Sequence, residues 1–127
     1  MRALVIDDSR AMRRIVSSIL TGLGYEVRDA GHGREGLDVL DEGWIPDLAT
    51  VDWNMPVMDG LQFVSAVRSN PALRNVTIMM VTSESEQGQI VRALAAGAHE
   101  YLIKPFTADA IRDKLALLGL LPEEAVL

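Results

Sequence analysis

Short apolar runs alternate with helix-period segments five times along this chain, and that alternation constrains the fold more than any other feature. The runs are Ala3 to Ile6, Tyr25 to Asp29, Leu48 to Val51, Val76 to Val81 and Tyr101 to Ile103. Several are continuously apolar, as strands covered on both faces are. Between the first two, Met12, Ile15, Val16, Ile19, Leu20 and Leu23 recur at helical spacing, with Ser9 as N-cap and Gly22 or Gly24 as stop. Arg34 to Glu42 reads as a second helix closed by Gly43. Leu61, Phe63, Val64 and Val67 mark a third, ended near Asn70-Pro71. Ile90, Val91, Leu94 and Ala95 mark a fourth, ended by Gly97. Ile111, Leu115, Leu117 and Leu118 mark a fifth, capped near Thr107 or Asp109, after which Gly119 to Leu127 closes the helix or frays.

Strict alternation of strand and helix predicts a parallel sheet with right-handed crossovers and helices on both faces. Five such units in 127 residues predict an α/β, flavodoxin-like doubly wound (βα)5 fold. Its five-stranded parallel sheet takes the order 2-1-3-4-5 known for that architecture. The length suits one domain over residues 1–127.

Composition removes several function classes. There is no cysteine, which excludes disulfides, thiolate metal sites and cysteine nucleophiles. Eighteen acidic against twelve basic residues give a net charge of −6, a poor match to nucleic acid or an anionic membrane surface. The apolar start, Ala3 to Ile6, is too short for a secretory signal, and no run approaches a bilayer span. The expected compartment is the cytoplasm, with neither nucleic-acid binding nor membrane insertion.

In a doubly wound sheet, ligands sit at the carboxyl ends of the strands. The residues found there are Asp7 and Asp8 after the first strand and Asp52 at the end of the third. Thr82 follows the fourth and Lys104-Pro105 the fifth. The first, third, fourth and fifth strands are contiguous in the predicted order, so these groups surround one pocket. Clustered carboxylates repel one another and need a counter-charge or a proton. Hard oxygen donors without histidine or cysteine suit magnesium, which keeps waters and takes a ligand from phosphate. Thr82 and Lys104 are then left for phosphate oxygens. This inventory fits phosphoryl transfer, in which a carboxylate can itself be the nucleophile.

The chain resembles the receiver domains of two-component response regulators. Asp7-Asp8, Asp52, Thr82 and Lys104-Pro105 match that family's acidic pair, acceptor aspartate, hydroxyl residue and lysine-proline. Met12-Arg13-Arg14-Ile15-Val16, Asp52-Trp53-Asn54-Met55-Pro56, Met58-Asp59-Gly60 and Lys104-Pro105-Phe106-Thr107 are similar to its stand-alone chemotaxis branch. Ser9-Arg10 after the acidic pair departs from that branch. The resemblance implies one receiver domain with no output domain, behaving as a monomer. It implies that Asp52 accepts a phosphoryl group from a histidine kinase. Asp8, Asp52 and the Asn54 carbonyl would bind Mg2+, with Asp7 acting through water. Thr82 and Lys104 would contact the phosphoryl oxygens, and the Lys104-Pro105 bond would be cis. Tyr101 would change rotamer as Thr82 moves, and Asn54 and Glu84 would tune the phosphoryl lifetime. The output face would be the fourth helix, fifth strand and fifth helix. Its implied target is a flagellar motor switch protein, with a phosphatase as a further partner. Such a protein is a switch that assists its own phosphorylation and dephosphorylation, not an enzyme.

Other readings stay open. The chain could be a phosphorelay intermediate or phosphate sink, or a receiver-fold binding module that is never phosphorylated. A magnesium phosphohydrolase would want a second acid two residues after the nucleophile, where Asn54 stands. A flavin carrier would want a hydroxyl- and glycine-rich first loop. A plainer role for Thr82 is an N-cap on the fourth helix. His32 and His99 read as surface or packing residues, and Arg10, Arg13 and Arg14 as a solvated helix face. Gly31-His32-Gly33-Arg34-Glu35-Gly36 matches a dinucleotide fingerprint in letters. That fingerprint belongs to the first strand-helix turn, which here is acidic, so the glycines read as a flexible turn.

Overall fold

The computed structural model describes residues 1–83 and 88–122. Among them, β1 (Arg2–Ile6), β2 (Glu26–Ala30), β3 (Leu48–Asp52), β4 (Thr77–Ser83) and β5 (Glu100–Lys104) form one parallel sheet. Its order is β2-β1-β3-β4-β5, as predicted. The helices are α1 (Arg10–Gly22), α2 (Gly33–Asp41), α3 (Gly60–Arg68), α4 (Ile90–Ala96) and α5 (Ala108–Leu117), with a 3-10 turn at Pro71–Leu73.

Alternation along the strands divides the core in two. Leu4, Ile6, Ala49, Val51, Ile78 and Met80 face α2, α3 and α4, against Val39, Phe63, Val64, Val67 and Ala93. Ala3, Val5, Leu48, Met79 and Leu102 face α1 and α5, against Val16, Leu20, Ile111 and Leu115. Phe63 is fully buried at the centre of the first layer; truncating such a residue to alanine costs about 3–5 kcal/mol.

Local chemistry starts the helices where the sequence signals it. The Ser9 hydroxyl accepts the Met12 N–H, and the Thr107 hydroxyl accepts the Ala110 N–H. Asp59 and Gln62 exchange side-chain and backbone bonds in a capping box that opens α3. α2 is capped by the His32 ring, which accepts the Glu35 N–H.

One alternative reading and one expectation need correction. Thr82 does not cap the fourth helix. It lies inside β4, and α4 begins at Ile90 behind Gln89. The glycines of residues 31–36 do not act through flexibility. A Cβ on Gly33 would fall 2.8 Å from Met58, and one on Gly36 would fall 2.6 Å from Ile6. Gly33 also donates its N–H to the Met58 carbonyl. These positions need a missing side chain so that α2 can approach the sheet and the loop before α3.

Candidate functional site

Register builds the site. Ile6 pairs with Val51, so Asp7 leaves β1 beside Asp52 at the end of β3. Asp52 pairs with Val81 and Val81 with Leu102, so Lys104 stands two residues further along β5 and its long side chain reaches back to Asp52. Asp7, Asp52 and Lys104 continue the alternation of Val5, Leu48 and Leu102, so they fall on the α1/α5 side. Lys104 Nζ lies 3.3 Å from Asp7 Oδ2 and 3.3 Å from Asp52 Oδ1. Oxygens of Asp7, Asp8 and Asp52 all lie within 4.8 Å of one another. Asp7 and Asp52 are buried, at 3% and 6% exposure, whereas Asp8 is exposed. Asp7 is the most tightly held. Its N–H donates to the Ala30 carbonyl, and its Oδ1 accepts the Ser9 N–H at 2.9 Å.

One ammonium against three carboxylates leaves two negative charges uncompensated. The Asp52 carboxyl is accordingly pushed up to about 7, chiefly by burial and then by Asp7, against the opposing pull of Lys104. Burial disfavours the Lys104 charge, but Asp52 and Asp7 outweigh it and raise the ammonium above its ordinary range. The donors are all hard oxygens and the excess charge is negative, so the residues present fit a divalent cation such as Mg2+. Close backbone approach shapes the pocket wall as well. A Cβ on Gly60 would lie 2.6 Å from the Asp52 carbonyl oxygen, so the first turn of α3 can press against the end of β3 only with glycine there.

The other predicted residues sit as follows. Asn54 is exposed in the loop after β3. Thr82 is fully buried, and its hydroxyl has no hydrogen-bond partner among the described residues. By strand alternation it falls on the opposite face from Asp52, the face that also carries Tyr101. The structure unites Asp7, Asp8, Asp52 and Lys104. Tyr101 is half-buried, with Lys114 of α5 4.7 Å from its ring centroid. The Lys104-Pro105 bond is cis. Glu84 lies outside the described residues. Arg13 is not on a solvated face: its guanidinium reaches the Asp7 carbonyl and the Asp29 carboxylate. No spacing rule links a helix arginine to a carbonyl six residues before it, so this contact carries no signal in the residue order.

The family model for the response regulator receiver domain matches residues 3–116. The chain belongs to the response regulator receiver domain family. Among similar receivers, the chemotaxis protein CheY1 of Helicobacter pylori is 41% identical over 119 residues, 93% of this chain and 96% of that protein. The chemotaxis protein CheY of Pseudomonas aeruginosa is 39% identical, over 91% of this chain and 93% of that protein. In structure, this receiver is similar to the chemotaxis response regulator CheY4 of Vibrio cholerae. The TM-score is 0.84 at 36% identity, over 92% of this chain and 97% of that one. Among the described residues, no helix of the receiver is long and apolar enough to cross a membrane.

Proposed function

We propose that this receiver takes a phosphoryl group from a histidine kinase onto Asp52 and thereby switches a protein-binding face. One observation carries the proposal: Asp52 is a buried carboxylate beside both a lysine and two further carboxylates, an excess of negative charge that a divalent cation would neutralise. A carboxylate oxygen of Asp52 attacks phosphorus, the P–N bond of the phosphohistidine breaks, and the imidazole leaves with the electron pair. Asp7, Asp8, Asp52 and the Asn54 carbonyl would hold Mg2+, which would shield the phosphoryl oxygens from the carboxylates as the two approach. Lys104 holds the carboxylate in place and donates to a phosphoryl oxygen on arrival. The Thr82 hydroxyl, buried and without a partner among the described residues, is a donor in waiting on the neighbouring strand. Hydrolysis then breaks the P–O bond to Asp52, releases inorganic phosphate and resets the switch.

The output face would be α4, β5 and α5. Val91 and Leu117 there are 74% and 79% exposed, apolar surface of the kind that protein partners cover. The similarity to chemotaxis proteins supports a motor switch protein as that partner, and the cytoplasm as the place of action. The test is intact mass and tryptophan fluorescence with Mg2+ and acetyl phosphate, run beside Asp52→Asn. We expect one labile phosphoryl gain that requires Mg2+ and is absent from the variant. Phosphorylation of Asp52→Asn to the same extent, or none of the wild type by either acetyl phosphate or a histidine kinase, overturns the proposal.

A further inference from the structure

We propose that Arg13 is a positioning residue for the acidic pair, and that it works by clamping the peptide between Asp7 and Asp8. The proposal rests on the reading of Asp7, Asp8 and Asp52 as a cation site. The Arg13 side chain is only 20% exposed although it belongs to the first turns of α1. Its Nη1 donates to the Asp7 carbonyl oxygen at 2.7 Å, and its Nε donates to Asp29 Oδ2 at 3.3 Å. Asp29 lies on β2, so the guanidinium ties the turn after β1 to the neighbouring strand.

The clamp acts where nothing else does. The Asp7 N–H is fixed by Ala30, and the Asp7 carboxylate by Ser9 and Lys104. The Asp8 carboxylate has no hydrogen bond among the described residues, yet it lies within the three-carboxylate cluster. The Asp7–Asp8 peptide fixes where the Asp8 Cα stands, and the carbonyl of that peptide is what Arg13 holds. A fixed peptide plane presents Asp8 to the cation without an ordering cost at binding.

The sign of one measurement separates this role from plain electrostatics. Removing a positive charge beside three carboxylates should, by Coulomb's law alone, tighten Mg2+ binding. Removing a clamp should weaken it. In Mg2+ titrations followed by tryptophan fluorescence, Arg13→Met should bind about tenfold more weakly, the low end of what losing an outer partner of a ligand costs. Arg13→Lys should recover only part of the loss. Asp29→Asn should weaken binding in the wild type but add nothing in the Arg13→Met background. A second readout uses the metal-free protein: the Ser9 amide should exchange about tenfold faster in Arg13→Met and in Arg13→Lys. Equal or tighter Mg2+ binding by Arg13→Met, or additive effects of Arg13 and Asp29, overturns the inference while leaving the site intact. A wild type that shows no Mg2+ response overturns the cation-site reading, and this inference with it.

Discussion

The two ends of the sheet treat charge in opposite ways. At the carboxyl end, three carboxylates share one ammonium, and a buried hydroxyl has no partner among the described residues. At the amino end, the guanidinium of Arg68 is fully engaged. It donates to the carbonyls of Gly97, Leu73, Arg74 and Val76 and meets the His99 ring nitrogen. The backbone shows the same contrast. Left-handed positions at the amino ends of the strands are glycines, at 24, 43 and 97, whereas the carboxyl end places Val57 at φ 67. The satisfied end anchors the fold. The unsatisfied end holds carboxylates in excess of their counter-charge, a pairing that a divalent cation would complete.

The largest effect should come from breaking the satisfied end. Arg68→Met keeps the aliphatic stem and removes all five donors. Several half-buried carbonyls then lose their partner at once, and each such loss costs about 1–3 kcal/mol. Water reaches some of them, so a net destabilisation of about 3 kcal/mol is expected. Urea unfolding would measure it, and a loss below about 1 kcal/mol would mean that the knot is ornamental.

The second effect is of opposite sign and depends on pH. With its folded value near 7 and its ordinary value at 3.8, the Asp52 carboxyl binds more protons folded than unfolded between those limits. Stability from this group is therefore lost as pH rises through that window. Asp52→Asn should stabilise the metal-free protein at pH 8 by on the order of 2 kcal/mol, and by much less at pH 4. His99 runs the other way. Burial and then Arg68 hold it below the usual 6.5, and its Nδ1 accepts the Ile78 N–H. Its contribution is complete above 6.5 and is lost as acid protonates it. Acid thus relaxes one end and strains the other. In Asp52→Asn the relief is gone, so stability should fall as pH drops from 7 to 5. A double variant with His99→Gln should flatten that slope. A slope unchanged by His99→Gln would remove the histidine from the account.

Much of this was legible from residue order. Apolar runs at fixed intervals specified strands, caps such as Ser9 and Thr107 specified helix starts, and their alternation pointed to the architecture whose known sheet order the structure has. The acidic pair, Asp52 and Lys104 were legible because a parallel doubly wound sheet collects whatever follows its strands. Three things were not. The Thr82 hydroxyl is buried without a partner among the described residues, which depends on what packs over the end of β4. The glycines at 33 and 36 answer to Met58 and Ile6, contacts distant in sequence. Arg13 looked solvated because helical periodicity says which face a residue occupies, not where a long side chain bends. Each of these depends on a tertiary neighbour, which pattern and propensity do not encode.

The smallest effect would test whether strain really belongs to the carboxyl end. Met58 N–H donates to the Pro56 carbonyl at 2.7 Å across Val57, which makes a γ-turn with its central residue at positive φ, a rare and strained form. A β-branched residue is a poor fit there, and Val57 is 77% exposed, so packing returns nothing for it. Glycine would adopt the same backbone freely but would also loosen the unfolded chain, which offsets part of the relief. Val57→Gly should therefore stabilise by only about 0.5–1 kcal/mol, read as a higher urea midpoint at unchanged slope. The control is Gly97→Ala at the other end, where φ is 122 and a Cβ would strike Arg68 at 2.5 Å. That change should destabilise clearly. If Val57→Gly instead lowers stability, the turn is held by contacts of the valine itself, and the contrast in backbone strain between the two ends disappears while the contrast in charge stands.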